Sequence, residues 1–266
     1  MKRFMLTVVL GSMLAGCATT TPVMLNATTS TVRAKSEPQG YYTLAQGKTG
    51  QALLSALHNI VYKHTDLGYN GAREVMFGKV DDYDNNDTVE CVYTGREATR
   101  IDGTGAAKNA NMNTEHTWPQ SLGAEGPAKA DLHHLFPTDI DTNGARSSYP
   151  FGEVAKSIKI FQTLDSTGES VLGTDAQGHE VFEPRDSHKG NVARALLYFY
   201  TCYAVGTRGG LDLKNFQVEK QVLAKWSKLD PVDQAERDRN DRVFAAQGNR
   251  NPYIDHPEWV DAVGTL

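Results

Sequence analysis

The stretch NTEHTWPQSLGAEGPAKADLHHLFPTDIDTNGARSSYPFG, residues 113–152, gathers most of the reactive side chains of the sequence. It holds His116, His133 and His134 out of eight histidines, together with Glu115, Asp131, Asp139, Asp141, Asn143 and Arg146. A histidine standing alone is ordinarily a hydrogen-bonded core or surface residue. Here groups able to act as base, metal ligand and anion clamp share one window between Gly and Pro turn signals, which points to a site. The window contains no His-Glu-x-x-His, so a zincin is unsupported. His133 and His134 are adjacent, and their side chains diverge on a helix or a strand. Glu115 and His116 would face opposite sides of a regular strand. They share one site only at a strand end, and Trp118-Pro119 ends the strand there. Asp, Glu and Asn oxygens suit a hard ion such as Mg²⁺ better than Zn²⁺.

Outward from this window the chain divides into three parts. Lys2 and Arg3 precede an apolar run from Phe4 to Leu14, which ends in Leu14-Ala15-Gly16-Cys17. Residues 1–16 read as a lipoprotein signal with Cys17 as the lipidated N-terminus; a plain secretory signal is the alternative. The run is too short to span a bilayer comfortably. Residues 17–40, rich in Thr, Ser, Ala and Pro, read as a flexible tether. Residues 41–266 read as one α+β domain. Apolar spacing predicts helices over 48–64, 190–203, 218–227 and 230–247, and Glu90–Tyr93 reads as a short strand. Residues 102–114 read as a loop. The acidic stretch 81–90 fails the calcium-loop pattern, because Asp87 stands where Gly is required and Tyr93 where the bidentate Glu belongs. Cys91 and Cys202 are either one disulfide, as export permits, or two buried thiols.

The whole chain has 266 residues and a formal net charge of −5, with 39% hydrophobic residues and a mean hydropathy of −0.46. This composition excludes a polytopic membrane protein, a wholly disordered chain and a uniformly basic nucleic-acid coat. It permits a local basic groove.

The motifs N-x-E-H-x-W-P-x-S at 113–121, D-L-H-H-L-x-P at 131–137 and N-x-x-R-S at 143–147 resemble the endonuclease I family of exported bacterial nucleases. These belong to the His-Me finger, or ββα-metal, group. The resemblance continues through Phe182-Glu183-Pro184, Lys189-Gly190 and Ala193-Arg194-Ala195. It ends in the segment from Trp226 to Tyr253, which includes Gly248-Asn249-Arg250-Asn251-Pro252. It implies a mostly helical α+β domain around two antiparallel strands and one helix that clamp a divalent ion. His116 would be the general base, and Glu115 and Asn143 would hold Mg²⁺, with Mn²⁺ as a substitute. The substrate would be DNA, and RNA as a second substrate, cut without sequence preference to leave 5′-phosphates. Some relatives carry a longer insertion between Ser121 and Asp131 with an Arg that helps the leaving group. The short stretch here leaves Arg146 as the candidate phosphate clamp, and Lys129 stands where some relatives have Glu. Arg146, Arg185, Lys189 and Arg194 are expected to track the nucleic-acid backbone, and Trp118 to pack under the hairpin. The expected protein is an exported monomer, touching the membrane only through lipid at Cys17. It is anchored to the envelope, at the outer membrane in a Gram-negative cell, or is periplasmic or extracellular. Two other classes share these residues: a metal-dependent phosphoesterase on small molecules, and a non-catalytic nucleic-acid-binding lipoprotein.

Overall fold

Leu53, Leu54, Leu57 and Val61 recur at helical spacing and form the buried face of α1 (Gly50–Val61), inside the predicted range. The computed structural model describes residues 37–163, 168–206, 210–264 and 266. The signal, Cys17 and residues 18–36 of the tether lie outside the described residues. Within them, Glu37 already contacts the domain, its carboxylate 2.9 Å from His256 Nε2.

Helix α2 (Gly68–Val75) runs on into a π-helical turn, Met76–Val80, that buries Met76, Phe77 and Val80. A short hairpin follows, β1 (Thr88–Glu90) antiparallel to β2 (Glu97–Thr99). Only Glu90 of the expected strand Glu90–Tyr93 lies in it. Cys91 closes the hairpin turn, its N–H donating to the Arg96 carbonyl at 2.8 Å, and Val92 turns away, its N–H donating to the Pro137 carbonyl at 3.0 Å. The expected loop 102–114 instead contains α3 (Thr104–Asn109) and most of a strand. Glu74 of α2 caps α3, accepting from the Thr104 N–H at 3.1 Å. A Cβ at Gly103 would meet that carboxylate, the exposed end of a flexible side chain, which would have to move aside.

Strand β3 (Met112–His116) pairs antiparallel with β4 (Leu135–Asp139), from Met112 opposite Asp139 to His116 opposite Leu135. Helix α4 (Ile140–Arg146) leaves β4 directly. A meander of β5 (Lys156–Phe161), β6 (Ser170–Thr174) and β7 (Glu180–Glu183) follows. Helix α5 (Asp186–Phe199) is the central element, with ten buried residues, and continues as a second π-helical turn, Tyr200–Ala204. Around it lie α6 (Lys214–Leu229), α7 (Gln234–Gln247), α8 (Pro252–Asp255) and α9 (Trp259–Ala262). The architecture is α+β and mostly helical, as expected.

The core is polar at its centre. Asp131 is 1% exposed and accepts from Tyr198 Oη at 2.7 Å, Tyr203 Oη at 2.8 Å, Gln247 Nε2 at 2.8 Å and the His133 N–H at 2.9 Å. The charges of α7 are absorbed in pairs: Arg239 with Asp81, and Arg194 of α5 with Glu236. Cys91 and Cys202 are free thiols, so the pairing alternative is not formed. Cys91 Sγ accepts from the Asp139 N–H at 3.2 Å, and Cys202 Sγ lies 3.8 Å from the Val61 carbonyl.

His188 is 3% exposed, and its Nε2 has no hydrogen-bond partner. Burial, then the charges of Arg185, Arg239 and Arg194, hold its pKa well below the usual value. The unfolded chain therefore takes up a proton below about pH 6.5 that the folded protein refuses, and stability is lost as pH falls. His188→Phe keeps an aromatic ring against Tyr93 and Phe136. Its stability should gain on wild type by roughly 1.4 kcal/mol per pH unit below that value. Urea unfolding of both proteins at pH 7.5 and pH 5 measures this; a constant gap would refute it.

Candidate active site

The site forms where β3 ends. His116 is the last residue of the strand, and Trp118-Pro119 diverts the chain immediately afterwards. Trp118 is 2% exposed, stacks on Phe199 with centroids 4.9 Å apart and donates to the Leu122 carbonyl. It is thus packing, as expected. Because the strand stops there, Glu115 and His116 open onto the same cleft of about 260 Å³, shared with Tyr69, Gln120, Asn143 and Ser148. The structure brings together four of the predicted site residues: Glu115, His116, Asn143 and Arg146.

His116 is 7% exposed. Burial and the neighbouring His134 push its pKa down to about 2, and the charges of Lys129 and Arg146 act in the same direction. The imidazole is therefore neutral at any working pH. Gln120 Nε2 lies 3.3 Å from His116 Nδ1, so the exposed amide can donate to an unprotonated Nδ1. Nε2 is buried without a partner in good geometry; the Lys129 carbonyl is the backbone acceptor that favours a proton on the ring. His134 stands 5.6 Å from the His116 ring but donates from Nε2 to the Ala128 carbonyl, 2.7 Å away. His133 likewise bonds the Asn249 carbonyl at 3.1 Å. Both support the loop behind the site.

Glu115 is 1% exposed and its Oε1 receives no hydrogen bond. Burial pushes its pKa up, against the opposing charge of Arg146 and the Tyr93 hydroxyl. Asn143, on α4, donates from Nδ2 to the Thr114 carbonyl at 3.0 Å. That commits its amide nitrogen and leaves Oδ1 as an acceptor. A buried carboxylate oxygen without a donor and an oriented amide oxygen are the donors a hard divalent cation uses.

Arg146 departs from expectation. It closes the floor of the cleft but is 1% exposed. Its Nη2 donates to the Thr117 carbonyl at 2.8 Å and its Nη1 to the Ser147 carbonyl at 3.1 Å, while Nε lies 3.3 Å from Glu115 Oε1. With these donors committed inward, it braces the site rather than gripping a phosphate. The other expected backbone-tracking cations are also committed: Arg185 to Glu90, Lys189 to Glu183 and Asp186, Arg194 to Glu236. Sequence reading missed Tyr69, Arg73 and Gln120. Tyr69 and Arg73 stand four residues apart on α2, so they share a helix face. That spacing is a signal only once α2 is recognised.

A second group of potential ligands, His64, Asp131 and Cys202, lies within 4.8 Å. Its carboxylate already accepts four hydrogen bonds, and burial pushes the Cys202 thiol well up, so it is protonated.

Removing Arg146 would leave the Glu115 carboxyl buried without its counter-charge. Arg146→Ala should lower stability by about 3–5 kcal/mol, read by chemical denaturation. Wild-type stability with weakened substrate binding would restore the phosphate-clamp role.

The sequence profile of the endonuclease I family matches residues 49–258. An extracellular ribonuclease of Bacillus subtilis (strain 168) is 35% identical over 241 residues, covering 84% of this chain and 77% of its own. An extracellular ribonuclease of Bacillus amyloliquefaciens is 34% identical, covering 86% and 79%. A periplasmic deoxyribonuclease of Aeromonas hydrophila is 30% identical over 127 residues, 48% of each chain. The profile takes in every residue of the cleft, and the chain belongs to the endonuclease I family.

Proposed function

We propose that the chain is an exported, Mg²⁺-dependent endonuclease that hydrolyses phosphodiester bonds of DNA and RNA to 5′-phosphate products without sequence preference. The observation that carries this reading is the convergence of neutral His116, buried Glu115 and the Asn143 amide oxygen on one cleft. The relatives support the polymer substrate: two matched over most of their length are named ribonucleases, and three matched over about half are named deoxyribonucleases. Those names, taken together, favour a cleft indifferent to the 2′-hydroxyl.

Hydrolysis needs a base for the attacking water, charge to offset the extra negative charge on phosphorus, and help for the leaving oxygen. His116 Nδ1 is the base. Burial keeps the ring unprotonated, and the exposed Gln120 amide, which occupies the Nδ1 lone pair in this structure, gives way to the attacking water. Glu115 and Asn143 would hold the cation, which when bound supplies the charge that stabilises the phosphoryl oxygens. Arg146 is a positioning residue: it fixes Glu115 and the carbonyl that follows His116. The strand–strand–helix unit β3–β4–α4 fits a His-Me finger core, with the base on the first strand and the Asn on the helix.

Export rests on the charged apolar leader of residues 1–16, and anchoring on Cys17. Cys17→Ser should release the protein from the membrane fraction; unchanged retention would overturn the anchor.

The direct test incubates purified protein with supercoiled plasmid and with RNA, with and without EDTA. Cleavage of both, abolished by EDTA, is expected; an intact plasmid alongside hydrolysis of small phosphoesters would move the chain to another class. His116→Ala should lose at least about 100-fold in rate, roughly 2.7 kcal/mol of barrier, while remaining folded. Glu115→Gln and Asn143→Ala should raise the Mg²⁺ concentration needed for half-maximal cleavage. A wild-type titration curve would remove them from the site.

A further inference from the structure

Two cations beside the cleft, Arg73 and Lys129, take no part in the hydrolytic chemistry, and any role for them in substrate binding rests on the nuclease reading. Lys129 Nζ lies 4.3 Å from the Tyr69 ring centroid, and the Arg73 guanidinium carbon lies 5.3 Å from the same centroid. The Tyr69 ring in turn stands 5.4 Å from the His116 ring and lines the cleft. Arg73 Nε donates to Thr114 Oγ1 at 3.2 Å, which ties it to the residue before Glu115. Among the described residues neither cation has a carboxylate within ion-pair distance, whereas Arg185, Lys189, Arg194, Arg239 and Arg250 all do. An aromatic face holds a cation in place without neutralising it, so the charge stays available to an incoming anion. On a chain with net charge −5, unneutralised cations at one rim are where a polyanion is drawn in.

We propose that Arg73 and Lys129, mounted on Tyr69, form a phosphate subsite that takes the phosphodiester adjoining the one being cleaved. Two elements supply it: α2 carries Tyr69 and Arg73, and the 3₁₀ turn Gly126–Ala130 carries Lys129. The subsite fixes the register of the polymer in the cleft and contributes affinity independent of sequence.

The test measures binding of a fluorescein-labelled single-stranded oligonucleotide in EDTA by anisotropy, over a series of NaCl concentrations. Each phosphate contact adds about 0.7 to the slope of log affinity against log salt for a single strand. Arg73→Gln and Lys129→Gln should each flatten the slope by about that amount, and the double variant by about 1.4. Both should raise KM more than they lower kcat, and Lys129→Arg should keep the wild-type slope. Lys225→Gln, which removes a charge from an exposed pair with Glu153, is the control and should keep it too. Thermal melts confirm folding, and either single variant suffices if the other does not fold. Wild-type slopes in both Gln variants, or lost kcat at an unchanged slope and KM, overturn the subsite and leave the nuclease reading standing. A wild-type protein that neither binds the oligonucleotide nor cleaves it overturns both.

Discussion

The cleft depends on a guanidinium enclosed by protein. Placing Arg146 and Glu115 out of water together is costly, and the cost is offset only because the cation also satisfies backbone carbonyls on both sides of the pair. Those carbonyls belong to the residues where β3 stops being a strand and where α4 ends. Pleating would separate Glu115 from His116 if the strand went on. Arg146 fastens the end of the seven-residue helix to the end of the strand, so that base and carboxylate meet at a corner. Trp118, stacked on Phe199, anchors the same corner to α5.

The corner was legible in the sequence because its information is local. Glu115 and His116 before Trp118-Pro119 already state that a strand ends on two functional residues, while Asn143, inside α4 beyond the paired strand β4, was reached through the family resemblance. What was hidden is what depends on partners far along the chain. Arg185 looked like an exposed cation, but its partner Glu90 is 95 residues away. Helix α2 was hidden because only Ala72 of its eight residues is buried, which leaves no apolar period to read. Strand β5 escaped for the same reason, with five of its six residues exposed. Helix α3 was masked by its glycines, although the Glu74 carboxylate that caps it stabilises the helix from outside.

The motif D-L-H-H-L reads as chemistry and serves as framework. Asp131 gathers two tyrosine hydroxyls, a glutamine amide and a main-chain N–H, tying the loop before β4 to α5 and to the end of α7. Asn249 extends this network, donating to the Val61 carbonyl and to Tyr198 Oη. Arg250 is held by Asp241 and Asp255. Such directional bonds specify one arrangement of a core that apolar contacts alone would hold less uniquely.

The two buried thiols bear on how the molecule matures. Cys91 sits against β4 and Cys202 against α1, each engaged with a main-chain group. Cohesion among the described residues comes from packing and hydrogen bonds, with no covalent cross-link. Reaching the native state therefore requires no oxidant and no thiol-exchange catalyst. Both thiols are enclosed in the fold, which makes them poor targets for oxidants.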